Sequence, residues 1–239
     1  MNNFLIWNGI NSNTIQGLRI CELPPITKPT IRTSIIEIDG KDGDFVELQG
    51  YESYEKSVKI GLFRNCDINQ IAKYFTGSGQ ITFSNEPDKY YNTQISEQID
   101  FERLVLFKTA NVKFHVQPFK YLVDEKPISL EITSETELNV TNVGLENSKP
   151  IFNLWGSGII EISINTIGTF QLNFSANSDI PDKYLTINSE IEECYKDTLK
   201  TLKNRSMAGE FPILLPGENI VSWTGNLTRI EIYPRSMWL

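Results

Sequence analysis

The sequence predicts a mainly β protein of two domains, with one short helix. Three observations carry this expectation. Apolar side chains recur at every second position in run after run, as they do when alternate residues of a strand face a core. The runs are separated by clusters of Gly, Pro, Asn and Asp, which supply turn conformations. Only short stretches show the spacing of an amphipathic helix.

Taken in chain order, the alternation is carried by Val58, Ile60 and Leu62, then by Tyr91, Thr93 and Ile95, and then by Val112, Phe114 and Val116. It continues in Ile128, Leu130 and Ile132, in Ile160, Ile162 and Ile164, in Phe170, Leu172 and Phe174, and in Ile230 and Ile232. Asp39-Gly40-Lys41-Asp42-Gly43-Asp44 and Pro216-Gly217-Glu218-Asn219 read as turns between strands. A helix is expected after Asp67, which can cap it. Ile68, Ile71, Ala72 and Phe75 form its apolar face, and Gly77 can close it in the left-handed conformation. A second stretch, Ile191, Cys194, Tyr195, Thr198, Leu199 and Leu202, also has helical spacing. Prolines in Gln117-Pro118-Phe119-Lys120-Tyr121 and Asp124-Glu125-Lys126-Pro127 bracket a charged connector, which places a domain junction near Lys126.

The chain has 239 residues, enough to bury a real core in each of two domains. Its 22 basic against 30 acidic residues leave a net charge of −8, which argues against a surface built to coat nucleic acid. No run of apolar residues is long enough to span a membrane, and the first residues carry no basic-then-apolar leader pattern. Cys21, Cys66 and Cys194 are odd in number and far apart, which fits reduced thiols from a reducing cytoplasm, mostly acting as small buried apolar groups. Glycosylation sequons at Asn139, Asn173, Asn204 and Asn226 then read as chance in an Asn-rich chain.

A search for chemistry yields no catalytic, cofactor-binding or metal-binding residues. His115 is the single histidine, so mechanisms and metal sites needing two are excluded, and it alternates on the face opposite Val112, Phe114 and Val116. No GxSxG elbow presents a serine. Gly77-Ser78-Gly79 and Gly156-Ser157-Gly158 lack the third glycine of a dinucleotide fingerprint, since Thr82 and Glu161 stand there. A calcium loop starting at Asp39 would need side-chain ligands at Lys41 and Gly43, so Asp39, Asp42 and Asp44 are read as a solvated hairpin turn. Glu192 and Glu193 are adjacent and would face different ways on a strand, a poor acid/base pair. Trp7, Trp155, Trp223 and Trp238 fit a core or interface role better than a sugar-stacking platform.

The first part of the chain runs through Phe4-Leu5-Ile6-Trp7-Asn8-Gly9, Glu22-Leu23-Pro24-Pro25-Ile26-Thr27-Lys28-Pro29, Ile38-Asp39-Gly40-Lys41-Asp42-Gly43-Asp44 and Gly50-Tyr51-Glu52-Ser53-Tyr54-Glu55-Lys56. Tyr74-Phe75-Thr76-Gly77-Ser78-Gly79, Pro87-Asp88-Lys89-Tyr90-Tyr91 and Val116-Gln117-Pro118-Phe119-Lys120-Tyr121 follow. Later come Asn147-Ser148-Lys149-Pro150, Gly156-Ser157-Gly158, Gly209-Glu210-Phe211-Pro212 and Leu215-Pro216-Gly217-Glu218-Asn219. In this order the motifs resemble the distal tail protein family of long-tailed, non-contractile phages and their prophages, over essentially the whole chain.

The resemblance implies an N-terminal ring-forming tail domain, residues 1–126, with a tail-tube-like β fold carrying one helix. It implies a C-terminal galectin-like or carbohydrate-module-like β-sandwich at residues 127–239. It further implies a structural, non-enzymatic hub in the virion tail tip, made and assembled in the bacterial host cytoplasm, that needs no cofactor or metal. The expected partners are five further copies in a homohexameric ring, the tail tube protein, the tail-tip protein of the baseplate and a receptor-binding protein, with no specific nucleic-acid or membrane binding. In such a ring the net negative charge is expected along the lumen, where it would keep passing DNA from sticking. In the family the stretch after Leu185-Thr186-Ile187 is a hairpin, so residues 189–205 are expected as strands with a turn near Lys196 to Thr198, against their helical spacing. No inserted arm that would grip receptor-binding proteins is expected, because the connections between strands stay short. A carbohydrate-binding module contacting host-wall glycans is the alternative, and a glycan hydrolase using dispersed carboxylates is a third reading. The C-terminal half is expected to bind wall sugars weakly or not at all, since fold does not carry function with it.

Overall fold

A computed structural model describes residues 3–63, 66–95, 97–99, 109–166, 168–174, 184–197, 199 and 201–239. The chain is mainly β, and it separates into two compact units, residues 1–123 with Leu239, and residues 124–238.

The first unit begins with β1 (Leu5–Trp7) and β2 (Ile10–Asn11), joined by Asn8 and Gly9, whose φ of 49° and 79° suit the tight turn of a two-residue hairpin. β3 (Leu18–Glu22), β4 (Ile31–Glu37), β5 (Asp44–Tyr51) and β6 (Tyr54–Leu62) follow, then α1 (Ile68–Tyr74), β7 (Ser78–Phe83), β8 (Lys89–Gln94) and β9 (Thr109–Leu122). The main sheet runs β2-β1-β7-β8-β9-β6-β3, and β4 and β5 form a separate two-stranded sheet.

The expected helix is present and ends where its signals say. Asp67 accepts hydrogen bonds from the amides of Asn69 and Gln70, a cap worth about 1 kcal/mol. Gly77 takes φ +89° as the chain turns into β7. Ile71 and Phe75 are buried against the sheet with Val58, Ile60, Val112, Phe114 and Val116, the positions that the alternation selects. Ile68 and Ala72, expected on the same apolar face, stay at least partly exposed.

The second unit contains β10 (Ile128–Glu131), β11 (Glu137–Asn142), β12 (Ile151–Ile164), β13 (Gly168–Asn173), β14 (Tyr184–Asn188), β15 (Glu193–Tyr195), β16 (Met207–Gly209) and β17 (Gly217–Tyr233). The order is β10-β17-β12-β13-β16, with β11 added to β17, β14 to β12 and β15 to β14. β12 and β17 pair along their length, with the register broken between Trp155 and Gly156 and again between Ser157 and Glu161. Glycines permit these breaks: Gly225 has φ +96°, and a Cβ there would stand 2.4 Å from the carbonyl oxygen of Ile159. Each long strand thereby serves two segments of sheet. Phe152, Leu154 and Ile230 before the breaks and Ile162, Ile164 and Val221 beyond them are buried in one core.

Residues 184–195 form the hairpin β14–β15 through a turn at 189–192, with Ile187 opposite Cys194. The helical spacing there does not describe a buried face, because Cys194 is fully buried while Ile191, Leu199 and Leu202 are exposed. The expected turn near Lys196 to Thr198 was only part of the pattern. Lys196 donates its amide to Thr201 and Tyr195 bridges to Leu202, but an earlier turn also reverses the chain. Thr198 lies outside the described residues.

Cys21 corrects the expectation of mostly buried thiols. It is exposed on the edge strand β3, Cys66 is half-buried, and only Cys194 is buried, all three as free thiols. Burial, aided by the Glu193 carboxylate, pushes the Cys194 thiol up to about 12.

Candidate assembly surface

β4 and β5 form the least buried pair of strands in the first unit. Among the described residues they pair only with each other, through Thr33 with Leu48, Ser34 with Glu47, Ile35 with Val46 and Ile36 with Phe45. Residues opposite each other share a face, so Ile35, Val46 and Leu48 lie on one side and Ile36 and Phe45 on the other. All five are exposed, from 43% for Ile36 to 71% for Leu48. At the tip, Gly40 and Gly43 adopt φ +78° and +81°, and Lys41 donates its amide to Ile38, so the acidic run 39–44 is the turn it was expected to be.

Such an arm is not self-sufficient. An isolated two-stranded hairpin is marginal in water, apolar residues on both faces leave no core side, and its edges offer unpaired backbone groups. Covering the half-exposed side chains would contribute roughly 1 kcal/mol apiece.

The root of the arm is firmly built. The amide of Glu52 donates to the carbonyl of Thr30 at 2.8 Å, closing the base of the hairpin. Tyr51 meets Phe119 of β9 edge-on, with ring centroids 5.7 Å apart. The strap that precedes β4, residues 23–30, is fixed by its backbone carbonyls: Asn85 Nδ2 donates to Pro24 at 3.0 Å and Lys56 Nζ donates to Pro25 at 2.8 Å.

Beneath the strap lies a buried polar cluster that period-two reading passed over. Lys56 occupies a core-facing position of β6, in phase with Val58 and Ile60, and is 2% exposed. Lys120 Nζ stands 2.8 Å from Glu86 Oε1, and the Tyr91 hydroxyl donates to Glu86 Oε2 at 2.6 Å. Burial opposes the Glu86 charge, but these two bonds and the neighbouring ammonium groups outweigh it and hold the carboxyl below its ordinary range. Burial also pushes Tyr54 up to about 12, with Glu86 adding to the effect. The signal available in the sequence was a lysine standing in the apolar phase of a strand.

The residues considered for chemistry are dispersed. His115 is half-buried on β9, and its main-chain carbonyl accepts from the Thr93 hydroxyl. Glu192 sits in the β14–β15 turn with φ +54°, whereas Glu193 accepts from Asn204 Nδ2. Among the described residues no group of three His, Cys, Asp or Glu is placed to hold a metal ion. Trp7 and Trp223 are buried in the cores of their units. Trp155 lies outside the core, but cross-strand neighbours flank it. Tyr184 on β14 stacks at 4.8 Å with an interplanar angle of 23°, and the Arg229 guanidinium on β17 lies 4.7 Å from the ring centroid. These neighbours come from opposite sides of β12, so neither face of the indole is free for a sugar ring.

No protein-family model and no curated protein sequence matches the chain. Among solved structures, it is similar to the Dit protein of phage SPP1, described as a hub of the adsorption apparatus of phages infecting Gram-positive bacteria. The two share 15% identity with a TM-score of 0.67, and the match covers 100% of both chains. A chain of the phage P2 baseplate in its activated conformation with Ca matches at 10% identity and a TM-score of 0.50, over 97% of each chain. At such identities the shared property is the fold, and this chain has the β-rich fold of a Dit-like phage tail protein along its whole length.

Proposed function

We propose that this chain is a structural, non-enzymatic component of a phage tail, the distal hub that joins the tail tube to the tail-tip and baseplate apparatus. The observation that carries the proposal is the β4–β5 arm, whose apolar residues on both faces have no partner within the described residues. A second copy of the chain is the occupant that fits best, because a head-to-tail contact repeated around an axis buries every arm and leaves none over when the ring closes. Six copies make the ring, residues 1–126 form its body, and residues 127–239 form a galectin-like sandwich that acts as scaffold. The whole-length similarity to a phage hub supports this assignment.

In this reading the other partners are the tail tube protein on one face of the ring, and the tail-tip protein with a receptor-binding protein on the other. The particle is a virion whose parts assemble in the host cytoplasm. The net charge of −8 suits a lumen that DNA must traverse without sticking, and tight duplex binding by the ring at physiological salt would contradict it. Negatively stained images of the purified protein test the proposal. Sixfold rings are expected, and a field of isolated particles at every concentration would count against it.

A further inference from the structure

Two of the segments that carry the family resemblance, Asn147–Pro150 and Gly209–Pro212, have no part in the arm, and they meet within the second unit. Ser148 and Leu214 exchange backbone hydrogen bonds of 2.9 and 3.1 Å, and the amide of Ser189 donates to the Pro150 carbonyl at 3.2 Å. The first contact brings residues 210–213 beside Lys149, and the second brings the β14–β15 turn to the same place. Glu210, Phe211, Pro212 and Ile213 then form a ridge that lines two hollows. One is an apolar cavity of about 230 Å³ whose other walls include Ile164, Phe170 and Leu215. The other is a recess of about 330 Å³ that also receives Lys149, Ser189 and Glu192.

The ridge is set by buried asparagines. Asn142 Nδ2 donates to the Leu214 carbonyl at 3.2 Å, and Asn219 Oδ1 accepts from the Leu215 amide at 2.9 Å. A surface fixed in this way loses little freedom when something docks on it. The recess, by contrast, holds polar groups that the fold does not use. Ser189 is 3% exposed, and its hydroxyl has no hydrogen-bond partner among the described residues. Leaving such a group unpaired costs stability, as groups kept for binding do. Glu192 and Glu210 form no ion pair with a described residue, so two carboxylates face one ammonium, Lys149, and one negative charge is in excess.

The serine oxygen and two carboxylates offer acceptors for the three N–H donors of a lysine ammonium. A metal ion fits less well, because no group of three ligating side chains is present among the described residues. We propose that the ridge is a two-pronged docking site for an extended segment of a partner protein, with an apolar side chain in the cavity and a lysine in the recess, bonded to Ser189, Glu192 and Glu210. Alternate residues of an extended chain point the same way about 6.5–7 Å apart, a spacing that lets one segment straddle the ridge.

The test uses the full chain with its isoleucine methyl groups labelled, so that signals stay visible in a large ring. It is titrated with acetyl-Phe-Ser-Lys-amide and with the reversed acetyl-Lys-Ser-Phe-amide while the Ile164 and Ile213 methyl resonances are followed. One of the two peptides should shift both saturably, with a dissociation constant of about 1 mM. Norleucine in place of its lysine should weaken binding roughly tenfold. Ser189→Ala should weaken it to a similar extent while the melting temperature stays the same or rises, because the fold does not use that hydroxyl. Three results would each overturn the proposal: no saturable shift with either peptide at about 20 mM, equal binding of the norleucine peptide, or a Ser189→Ala chain that melts lower or binds as tightly as the native one. Any of them leaves the hub reading intact, since neither the arm nor the ring enters the measurement.

Discussion

Ile35 and Val46 face each other across the β4–β5 hairpin and are 62% and 52% exposed, a cross-strand apolar pair with water where a core should be. Cross-strand pairs of this kind stabilise sheets when something covers them. Replacing Ile35 and Leu48 together by Asp should weaken self-association by about 3 kcal/mol or more, over a hundredfold. Because neither side chain belongs to a core, the melting temperature of the dissociated chain should change little. Sedimentation velocity over a concentration series checks the first expectation and differential scanning calorimetry the second. Unchanged assembly would remove the arm from the interface.

The stacked Tyr184–Trp155–Arg229 row leads to a prediction about sugar binding. With both indole faces covered, titrating the protein with host-wall polysaccharide should leave its tryptophan fluorescence without a saturable change. Saturable micromolar quenching abolished by Trp155→Ala, with the fold intact, would show that the second unit is a lectin after all. Trp223, buried at 6% exposure, cannot be the platform while the unit is folded.

The Glu86–Lys120 pair should dominate the acid limb of stability of the first unit. Its carboxyl is held below the ordinary range, so it contributes stability above its unfolded value of about 4.3 and loses it as pH falls through the folded value. Glu86→Gln leaves two buried lysines without a counter-charge and should cost about 3–5 kcal/mol at pH 7. It should also flatten the dependence below pH 5. Urea unfolding between pH 3 and 7 measures both, and an unaltered acid limb would show that the pair is not what titrates.

Thiol reactivity should follow burial rather than position in the chain. Cys21 should react with a disulfide reagent at the rate of an exposed thiol and Cys66 more slowly. Cys194, fully buried, should react only on unfolding. Mass should be unchanged by reductant. Rapid labelling of Cys194 in the native protein, or a mass lower by two hydrogens without reductant, would contradict this ordering.

Much of the fold was legible where one face of a strand is buried. Val58 with Ile60, Val112 with Phe114 and Val116, and Ile160 with Ile162 all point inward as alternation requires, because a half-buried strand writes its orientation into every second residue. Asp67 and Gly77 marked the helix for an equally local reason. The arm was less legible. Ile35, Ile36, Phe45 and Val46 are apolar yet exposed, and sequence pattern alone does not distinguish an exposed apolar strand from a buried one. Residues 189–205 misled in the opposite direction: Cys194 is set by pairing with Ile187 across the sheet, a constraint distant in sequence, whereas Ile191 and Leu199 share its helical phase only by coincidence. Of the Lys56 cluster the sequence showed only a lysine in the apolar phase of β6, because its partners Glu86 and Lys120 are brought to it by the sheet from distant strands and a turn.

Size-exclusion chromatography coupled to light scattering, alone and with the tail-tip protein, tests the hub assignment most directly. A species of six times the 27.3 kDa chain mass is expected, lost when the β4–β5 arm carries Asp at Ile35 and Leu48. A strict monomer at high concentration, unchanged by the tail-tip partner, would contradict it.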